Sequence, residues 1–363
     1  MVAIGSNKAI VISDVCGQRG GAYRATSLLC EALANLGLAT TCYASWVEPD
    51  FRVEDNRWSI VRPLLRRGSR WELPHRVLAW QAKTAVLREN PKLVICVGMT
   101  SLCGMLLKSE AASQVYVWEL TNAEQRNKFV SDLAVAGLKN CRGMLSPASV
   151  IDDAIRRTYS YQRPIHRLPF WIEPADFGYL APPETFSCDF LFLSRREADK
   201  GLGDLLEAVS IAKQGDQKFS VVIAGAGPAE PWISQATQLS VNDRVNFVSL
   251  PRREDAMDML RRARFMILPS WHEGFPISIL EAAQRSVPII CTQVGAISEI
   301  LGTTGGTFYH PVRNARRLAE VMQLAMELDH AAYVNARHGI HQRYQRLNGP
   351  QAILGKLGSL ISP

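Results

Sequence analysis

Residues 264–283 read RFMILPSWHEGFPISILEAA. The apolar run RFMILPS, at 264–270, predicts a buried β-strand because it is short and ends in a turn signal. The glycine and proline of WHEGFP, at 271–276, indicate a loop, and ISILEAA, at 277–283, predicts the start of a helix. A strand, a loop and a helix in this order form the repeating unit of a parallel sheet covered by helices. The stretch therefore predicts an α/β fold.

Two glutamates in this stretch, Glu273 and Glu281, are separated by seven residues. Glu273 lies in the loop at the carboxyl end of the strand, where open α/β sheets bind their ligands. Glu281 lies about two turns into the helix, and it faces the same crevice if its apolar neighbours face the sheet. Because a carboxylate accepts hydrogen bonds from two hydroxyls at once, the pair suits a ligand with two sugar rings. The helix start between them offers N–H groups to a diphosphate.

Strand-like and helix-like runs alternate along the whole chain, which predicts parallel sheets with helices on both faces. The alternation breaks at 168–188, where four prolines indicate a linker, and then restarts. The 363 residues therefore predict two doubly wound, Rossmann-like domains, 1–170 and 171–345. A last helix in 346–363 could pack on either domain, a return to the N-terminal one included.

A cationic loop follows the first strand of the second domain, in FLSRREADKG at 192–201. Arg195 and Lys200 can neutralise phosphate charge there, and we expect both to be exposed in the crevice. A solvated loop is the alternative. In the first domain, the turn DVCGQRGGAYRAT contains Gly20 and Gly21, whose missing side chains let the backbone approach a ligand closely. A simple tight turn is the alternative at that position.

The segment VVIAGAGPAEP, at 221–231, partly matches a G-x-G-x-x-G dinucleotide fingerprint. Glu230 stands where the third small residue should let the helix pack closely on the strand. The next strand, RVNFVSL, is not followed by an acidic residue for a ribose. The pattern therefore disfavours a nicotinamide or flavin cofactor.

Together these motifs resemble the retaining GT-B glycosyltransferases of family GT4. The resemblance is specific in the R-x4-K-G loop, the E-x7-E spacing and GAISEI at 295–300, and it is looser in the first half. It implies a GT-B fold, with two domains facing each other across a cleft, and transfer of a sugar from a nucleoside-diphosphate sugar with retained anomeric configuration. The resemblance also implies a role for each candidate site residue. Arg195 and Lys200 would bind the donor diphosphate, and Glu273 would hold the donor sugar together with the backbone of Gly274, Phe275, Pro276 and Ile277. Glu281 would bind the ribose, Leu250 would contact the base, and Gly20 and Gly21 would approach the phosphate or the acceptor.

Two positions depart from the family pattern: the usual N-G of the linker is replaced by Phe170 and Trp171, and a first-domain histidine is missing. Many relatives have a histidine near the donor sugar after a first-domain strand, whereas VYVWELTN offers Glu119, Thr121 and Asn122. We expect Glu119 to stand in that place, which leaves the donor sugar open.

Several motifs that would indicate a metal site, a redox site or a membrane segment are missing from the sequence. It has no D-x-D motif, which fits a metal-independent transferase without another cofactor. We expect its donor to be a UDP- or GDP-linked sugar, as the resemblance implies. The eight cysteines are scattered without a C-x-x-C pair, which predicts buried, reduced thiols in a cytoplasmic protein. We see neither a secretory signal nor an apolar run of about 18 residues that could span a bilayer.

Segment 62–88 is strongly basic, with seven Lys or Arg, one acidic residue and two tryptophans. Such a segment can lie on an anionic membrane surface, and a solvated basic face is the equal alternative. No nucleic-acid-binding module is recognisable. The leading expectation is a lipid-linked saccharide acceptor in bacterial surface polysaccharide synthesis, with the protein peripheral on the inner face of the plasma membrane. A soluble natural-product acceptor is one alternative, and a catalytically silent relative that binds or assembles is another.

Overall fold

The structure, a computed structural model, describes residues 6–17, 21–62, 72–120, 131–173, 181–215, 217–250 and 252–361. The chain divides into two compact units. Unit 1 comprises Met1–Glu173 together with Asn348–Pro363, and unit 2 comprises Pro174–Leu347.

Unit 1 contains a seven-stranded parallel sheet with the strand order β3-β2-β1-β4-β5-β6-β7. Its strands are β1 (Ser6–Cys16), β2 (Ala39–Val47), β3 (Trp58–Val61), β4 (Pro91–Val97), β5 (Val115–Trp118), β6 (Gly143–Ser146) and β7 (Ile165–Arg167). The helices that connect them are α1 (Gly21–Asn35), α2 (Glu72–Glu89), α3 (Ser101–Leu107), α4 (Asp132–Gly137) and α5 (Ser149–Tyr159).

Unit 2 contains a six-stranded parallel sheet with the order β10-β9-β8-β11-β12-β13. Its strands are β8 (Cys188–Leu193), β9 (Val221–Ala224), β10 (Val245–Val248), β11 (Ala263–Leu268), β12 (Ile289–Cys291) and β13 (Thr307–Tyr309). Its helices are α6 (Leu202–Ala212), α7 (Glu230–Gln238), α8 (Arg253–Arg261), α9 (Ile277–Gln284), α10 (Ile297–Leu301), α11 (Ala315–Met326) and α12 (His330–Asn348). The predicted α/β class with two parallel sheets is confirmed.

The last helix, α13 (Pro350–Ile361), belongs to unit 1, where it packs on α1 and β4. Ile353 and Leu357 are its buried residues. All eight cysteines are buried and none forms a disulfide, as the sequence predicted.

Each sheet has one point where the chain reverses its direction of winding. In unit 2 the chain runs outward from β8 through β9 to β10, and it then returns to β11 on the other side of β8. The fully buried rings of Phe190 and Phe265 stack at 5.8 Å between centroids and hold β8 beside β11. Open α/β sheets bind ligands at the carboxyl ends of such a strand pair. The loops after β8 and β11 therefore form the candidate ligand-binding edge of unit 2.

Candidate functional site

The loop after β8 and the loop after β11 are locked together by their backbones. Gly201 has φ +70°, and a Cβ atom at this position would lie 1.9 Å from the carbonyl oxygen of Pro269. Only glycine fits that approach. The N–H of Trp271 donates to the carbonyl of Asp199 at 2.8 Å, and its indole N–H donates to Asp204 at 2.7 Å. The two loops are therefore joined by a close backbone contact and two hydrogen bonds.

Lys200 and Glu273 meet at this junction. Lys200 Nζ lies 3.0 Å from Glu273 Oε1, and Ser270 Oγ donates to the same oxygen at 2.7 Å. Lys200 is only 8% exposed, although the sequence predicted an exposed cation. The reason is its place at the end of a short 3-10 helix, Ala198–Lys200, immediately before the glycine that contacts Pro269. The structure therefore places a buried ion pair where two separate ligand contacts were predicted.

The loop after β12 packs against the backbone of Glu273 and Gly274. Gly295 has φ +58°, and a Cβ there would lie 2.0 Å from the carbonyl oxygen of Glu273. The N–H of Ala296 donates to the carbonyl of Gly274 at 3.0 Å. The first glycine of GAISEI is thus required by the close approach of this loop to the backbone that carries Glu273.

The two arginines of the loop after β8 have different surroundings. The Arg195 side chain is 61% exposed and pairs with Glu197 at 2.6 Å, so it is accessible at the ligand edge. Arg196 is buried and donates to the carbonyls of Gly227, at 2.6 Å, and Val248, at 3.0 Å. Arg196 therefore joins the carboxyl ends of three neighbouring strands.

The glycines of VVIAGAGPAEP have a structural explanation. A Cβ on Gly225, which has φ +145°, would lie 1.7 Å from the carbonyl oxygen of Ser194. Gly225 is therefore required by the approach of the loop after β9 to the loop after β8.

Glu281 is the fifth residue of α9 and is 7% exposed. It therefore lies inside the helix as predicted, but just over one turn from its start and not about two turns. Its Oε1 accepts a hydrogen bond from Arg253 Nη2 at 2.9 Å. Arg253 is the first residue of α8, whose N-terminus follows the loop after β10. The sequence reading missed this arginine, because the pairing depends on how α8 packs on α9.

The remaining unit 2 residues lie along the same edge. Gly274, Phe275 and Pro276 complete the loop after β11, and Ile277 begins α9. No side chain caps this helix start, and the first N–H groups of any helix lack partners within it. Leu250 lies beyond the end of β10 and is partly buried. This edge therefore presents the N-terminus of α9, the carboxylates Glu273 and Glu281, and cations that include Arg195, Lys200 and Arg253.

The predicted unit 1 residues are only partly described. Gly21 begins α1, whereas Gly20, Thr121 and Asn122 lie outside the described residues. Glu119 follows β5 and is buried, and its N–H donates to the carbonyl of Leu145 at 3.0 Å.

Asp14, near the end of β1, lies at the point where the unit 1 sheet reverses its winding. Burial raises the pKa of Asp14, while a hydrogen bond with Thr100 and the charge of His75 act in the opposite direction. No sequence motif indicated a role for Asp14.

Over the ranges that the structure covers, no three His, Cys, Asp or Glu side chains are grouped in a way that could hold a metal ion.

Residues 187–342 match the family model "Glycosyl transferases group 1". Glycogen synthase of Mycobacterium tuberculosis is 31% identical over 126 residues, which cover 34% of this chain and 30% of that protein. The putative teichuronic acid biosynthesis glycosyltransferase TuaC of Bacillus subtilis is 29% identical over 132 residues, 36% of this chain and 31% of that protein. The match thus spans less than a third of the length of either relative.

The fold extends over the whole chain. The structure of HepE from Anabaena in complex with UDP superposes with a TM-score of 0.74 and 13% identity, covering 98% of this chain and 99% of that one. A second HepE structure, in complex with UDP and glucose, superposes with a TM-score of 0.72. Identity this low carries the fold alone. Residues 187–342 of unit 2 therefore resemble the glycosyl transferases group 1, and the chain as a whole has the GT-B fold.

Proposed function

We propose that this protein is a retaining glycosyltransferase that moves a sugar from a nucleoside-diphosphate sugar to an acceptor hydroxyl without a divalent metal. The observation that carries the proposal is the edge of the unit 2 sheet, where Lys200, Glu273 and the start of α9 lie together and Glu281 lies further along α9. The resemblance of residues 187–342 to this family and the UDP bound to the HepE structures support it.

The proposed chemistry follows from the charges at this edge. When the anomeric C–O bond breaks, positive charge develops on the sugar and negative charge on the departing diphosphate. Lys200, Arg195 and the N-terminus of α9 would stabilise that diphosphate, and such preorganised groups are worth about 3 kcal/mol each. Glu273 would accept hydrogen bonds from sugar hydroxyls and Glu281 from the ribose. The acceptor oxygen would form the new C–O bond on the same face, and its proton would pass to a phosphate oxygen.

Turnover is the direct test of this proposal. The protein is incubated with candidate UDP- and GDP-linked sugars and with saccharide acceptors, and nucleoside diphosphate release is measured with EDTA present. Release that depends on the acceptor is the expected result. If nucleotides bind but no sugar is transferred or hydrolysed under any condition, the catalytically silent relative becomes the better explanation.

We further propose a lipid-linked saccharide acceptor of bacterial surface polysaccharide synthesis. The similarity to TuaC, whose name refers to teichuronic acid, supports this acceptor class. A soluble natural-product acceptor is the second candidate. Within the parts of the chain that are described, no helix is long and apolar enough to cross a bilayer.

The side chains on α2 favour the membrane-bound acceptor. Val77, Trp80 and Leu87 are exposed apolar residues, and Trp80 is 65% exposed. Their spacing of three and seven residues places them along one face of the helix. Arg76 and Arg88 are exposed beside them. We call these five residues the α2 surface.

An exposed apolar stripe with flanking cations fits the interface of an anionic bilayer. The protein would then be peripheral on the cytoplasmic side of the membrane. Other basic residues of 62–88, namely Arg66, Arg67 and Arg70, lie outside the described residues.

A further inference from the structure

We propose that Arg253 is a positioning residue for nucleotide recognition: it holds the Glu281 carboxylate in the orientation that accepts the ribose hydroxyls. This inference rests on the proposed function, because it assumes that a nucleotide binds at this edge. It adds a residue from α8 that the sequence motifs do not contain.

The contact itself has the required geometry. Arg253 Nη2 lies 2.9 Å from Glu281 Oε1, within range of a charge-assisted hydrogen bond. The Glu281 side chain is 9% exposed and that of Arg253 is 36% exposed. The carboxylate is thus withdrawn from water, and the guanidinium remains open to the ligand edge. A carboxylate has about four acceptor positions, so a bond from Arg253 leaves capacity for ribose hydroxyls.

The backbone of Glu281 is held from the other side. His341 Nδ1 lies 3.2 Å from the carbonyl oxygen of Gln284, and the Gln284 side chain donates to Tyr344 Oη at 3.3 Å. Arg285 donates to the carbonyl oxygen of Glu281 itself at 3.2 Å. The bonds of Gln284 to His341 and Tyr344 hold α9 on α12. With the backbone held, the orientation of the Glu281 carboxylate depends on its side-chain rotamer. Arg253 restricts that rotamer, which is the supporting role that precise binding sites require.

The position of Arg253 also links two parts of one ligand. Leu250, predicted to contact the base, lies three residues before Arg253 in the segment that enters α8. A nucleotide whose base contacts this segment would have its ribose beside the Arg253–Glu281 pair. The pair therefore predicts discrimination between ribose and 2′-deoxyribose.

Calorimetric titration of the full chain with UDP and 2′-deoxy-UDP, or with the guanine pair if only GDP binds, tests the proposal. In wild type we expect a preference for the ribonucleotide of about tenfold, the value of one good hydrogen bond to a charged group. R253A should lose most of that preference because UDP binding weakens about tenfold while binding of the deoxy analogue changes little. R253K should keep part of the preference, and E281Q should lose it.

R252A is the matched control. Arg252 is the adjacent arginine, exposed and paired with Asp255 on its own helix, so R252A should bind both nucleotides as wild type does. The proposal is wrong if E281Q loses the preference while R253A keeps it. It is also wrong if R253A weakens both nucleotides equally, since that result marks a purely structural role. Wild-type protein that binds neither ribonucleotide would overturn the proposed function, and this inference with it.

Discussion

Lys200 and Glu273 lie 73 positions apart in the chain, yet they form a buried ion pair with 3.0 Å between Nζ and Oε1. Each comes from the loop after one of two neighbouring strands, β8 and β11. Before any ligand arrives, the cation proposed for the diphosphate already neutralises the carboxylate proposed for the sugar. A donor would have to replace this mutual contact with its own groups, phosphate oxygens at Lys200 and a sugar hydroxyl at Glu273.

Breaking this pair should destabilise the protein. K200M or E273Q alone removes one partner from a site where both side chains are about one tenth exposed, and we expect a loss of about 3 kcal/mol. The double variant K200M/E273Q should lose less than the sum, because no charge is left uncompensated. Urea unfolding of the three variants measures this. Strictly additive losses would show that the pair contributes no coupling energy.

Arg195 should matter for turnover and not for stability. Its side chain is largely exposed, so R195A should leave the melting temperature within about 2 °C of wild type. Its loss should lower kcat by about a hundredfold if it stabilises the leaving diphosphate. E197A is the matched control, since it breaks the same surface pair from the other side. Equal kinetic effects in R195A and E197A would assign Arg195 to loop structure instead.

UDP or GDP should stabilise the protein with EDTA present. The proposed diphosphate contacts are Lys200, Arg195 and the α9 N-terminus, and none of them needs a metal. At a hundredfold excess over Kd, one nucleotide site adds about 2.7 kcal/mol to the free energy of unfolding. Differential scanning fluorimetry with EDTA and with added Mg²⁺ checks this. A thermal shift that occurs only with Mg²⁺ would contradict metal-independent binding.

The α2 surface should bind anionic vesicles. W80S should reduce the fraction of protein that floats with phosphatidylglycerol vesicles. At low salt the separate double variant R76S/R88S should reduce that fraction more than W80S does, since each cation near the bilayer is worth about 1 kcal/mol. Added salt should reduce binding because it screens the cations. L324S is the matched control, because Leu324 is an exposed apolar residue on α11 of unit 2. Wild type that fails to float would move the acceptor proposal to a soluble molecule.

Unit 2 should lose stability in mild acid. Burial lowers the pKa of both His310 and His341 below the ordinary value of 6.5. The unfolded chain therefore takes up protons first, and stability falls as the pH drops through 6.5 toward the lowered folded pKa, by up to about 1.4 kcal/mol per pH unit for each group. H341Q should flatten this dependence, because it removes one of the two buried imidazoles that the unfolded chain protonates first. Melting temperatures between pH 5 and pH 8 would show the difference; identical curves for wild type and H341Q would contradict the assignment.

The sequence predicted the fold because its signals are local. Strand-loop-helix units repeat along the chain, and their apolar runs place Glu273 in a loop and Glu281 inside a helix, as the structure has them. Parallel sheets then bring the carboxyl ends of neighbouring strands to one edge. Lys200 and Glu273 come from such ends.

What the sequence could not predict depends on tertiary packing. The burial of Lys200 follows from the contact of Gly201 with Pro269, which only the pairing of β8 with β11 creates. Arg253 reaches Glu281 because α8 and α9 pack side by side, and one arginine among several in PRREDAMDMLRR carries no mark of that neighbour. The residue that such a side chain contacts depends on how the helices pack, and the hydrophobic periodicity of the sequence does not predict that packing.

The position of α13 on α1 and β4 has a consequence for biosynthesis. Unit 2 is a continuous segment, so a ribosome has delivered all of it once residue 347 has been made. Unit 1 begins earlier but needs Ile353 and Leu357 to complete its packing, so it finishes later. Domains generally fold as units during translation. In this chain, unit 1 is synthesised first, but its packing is therefore complete only after α13 has left the exit tunnel.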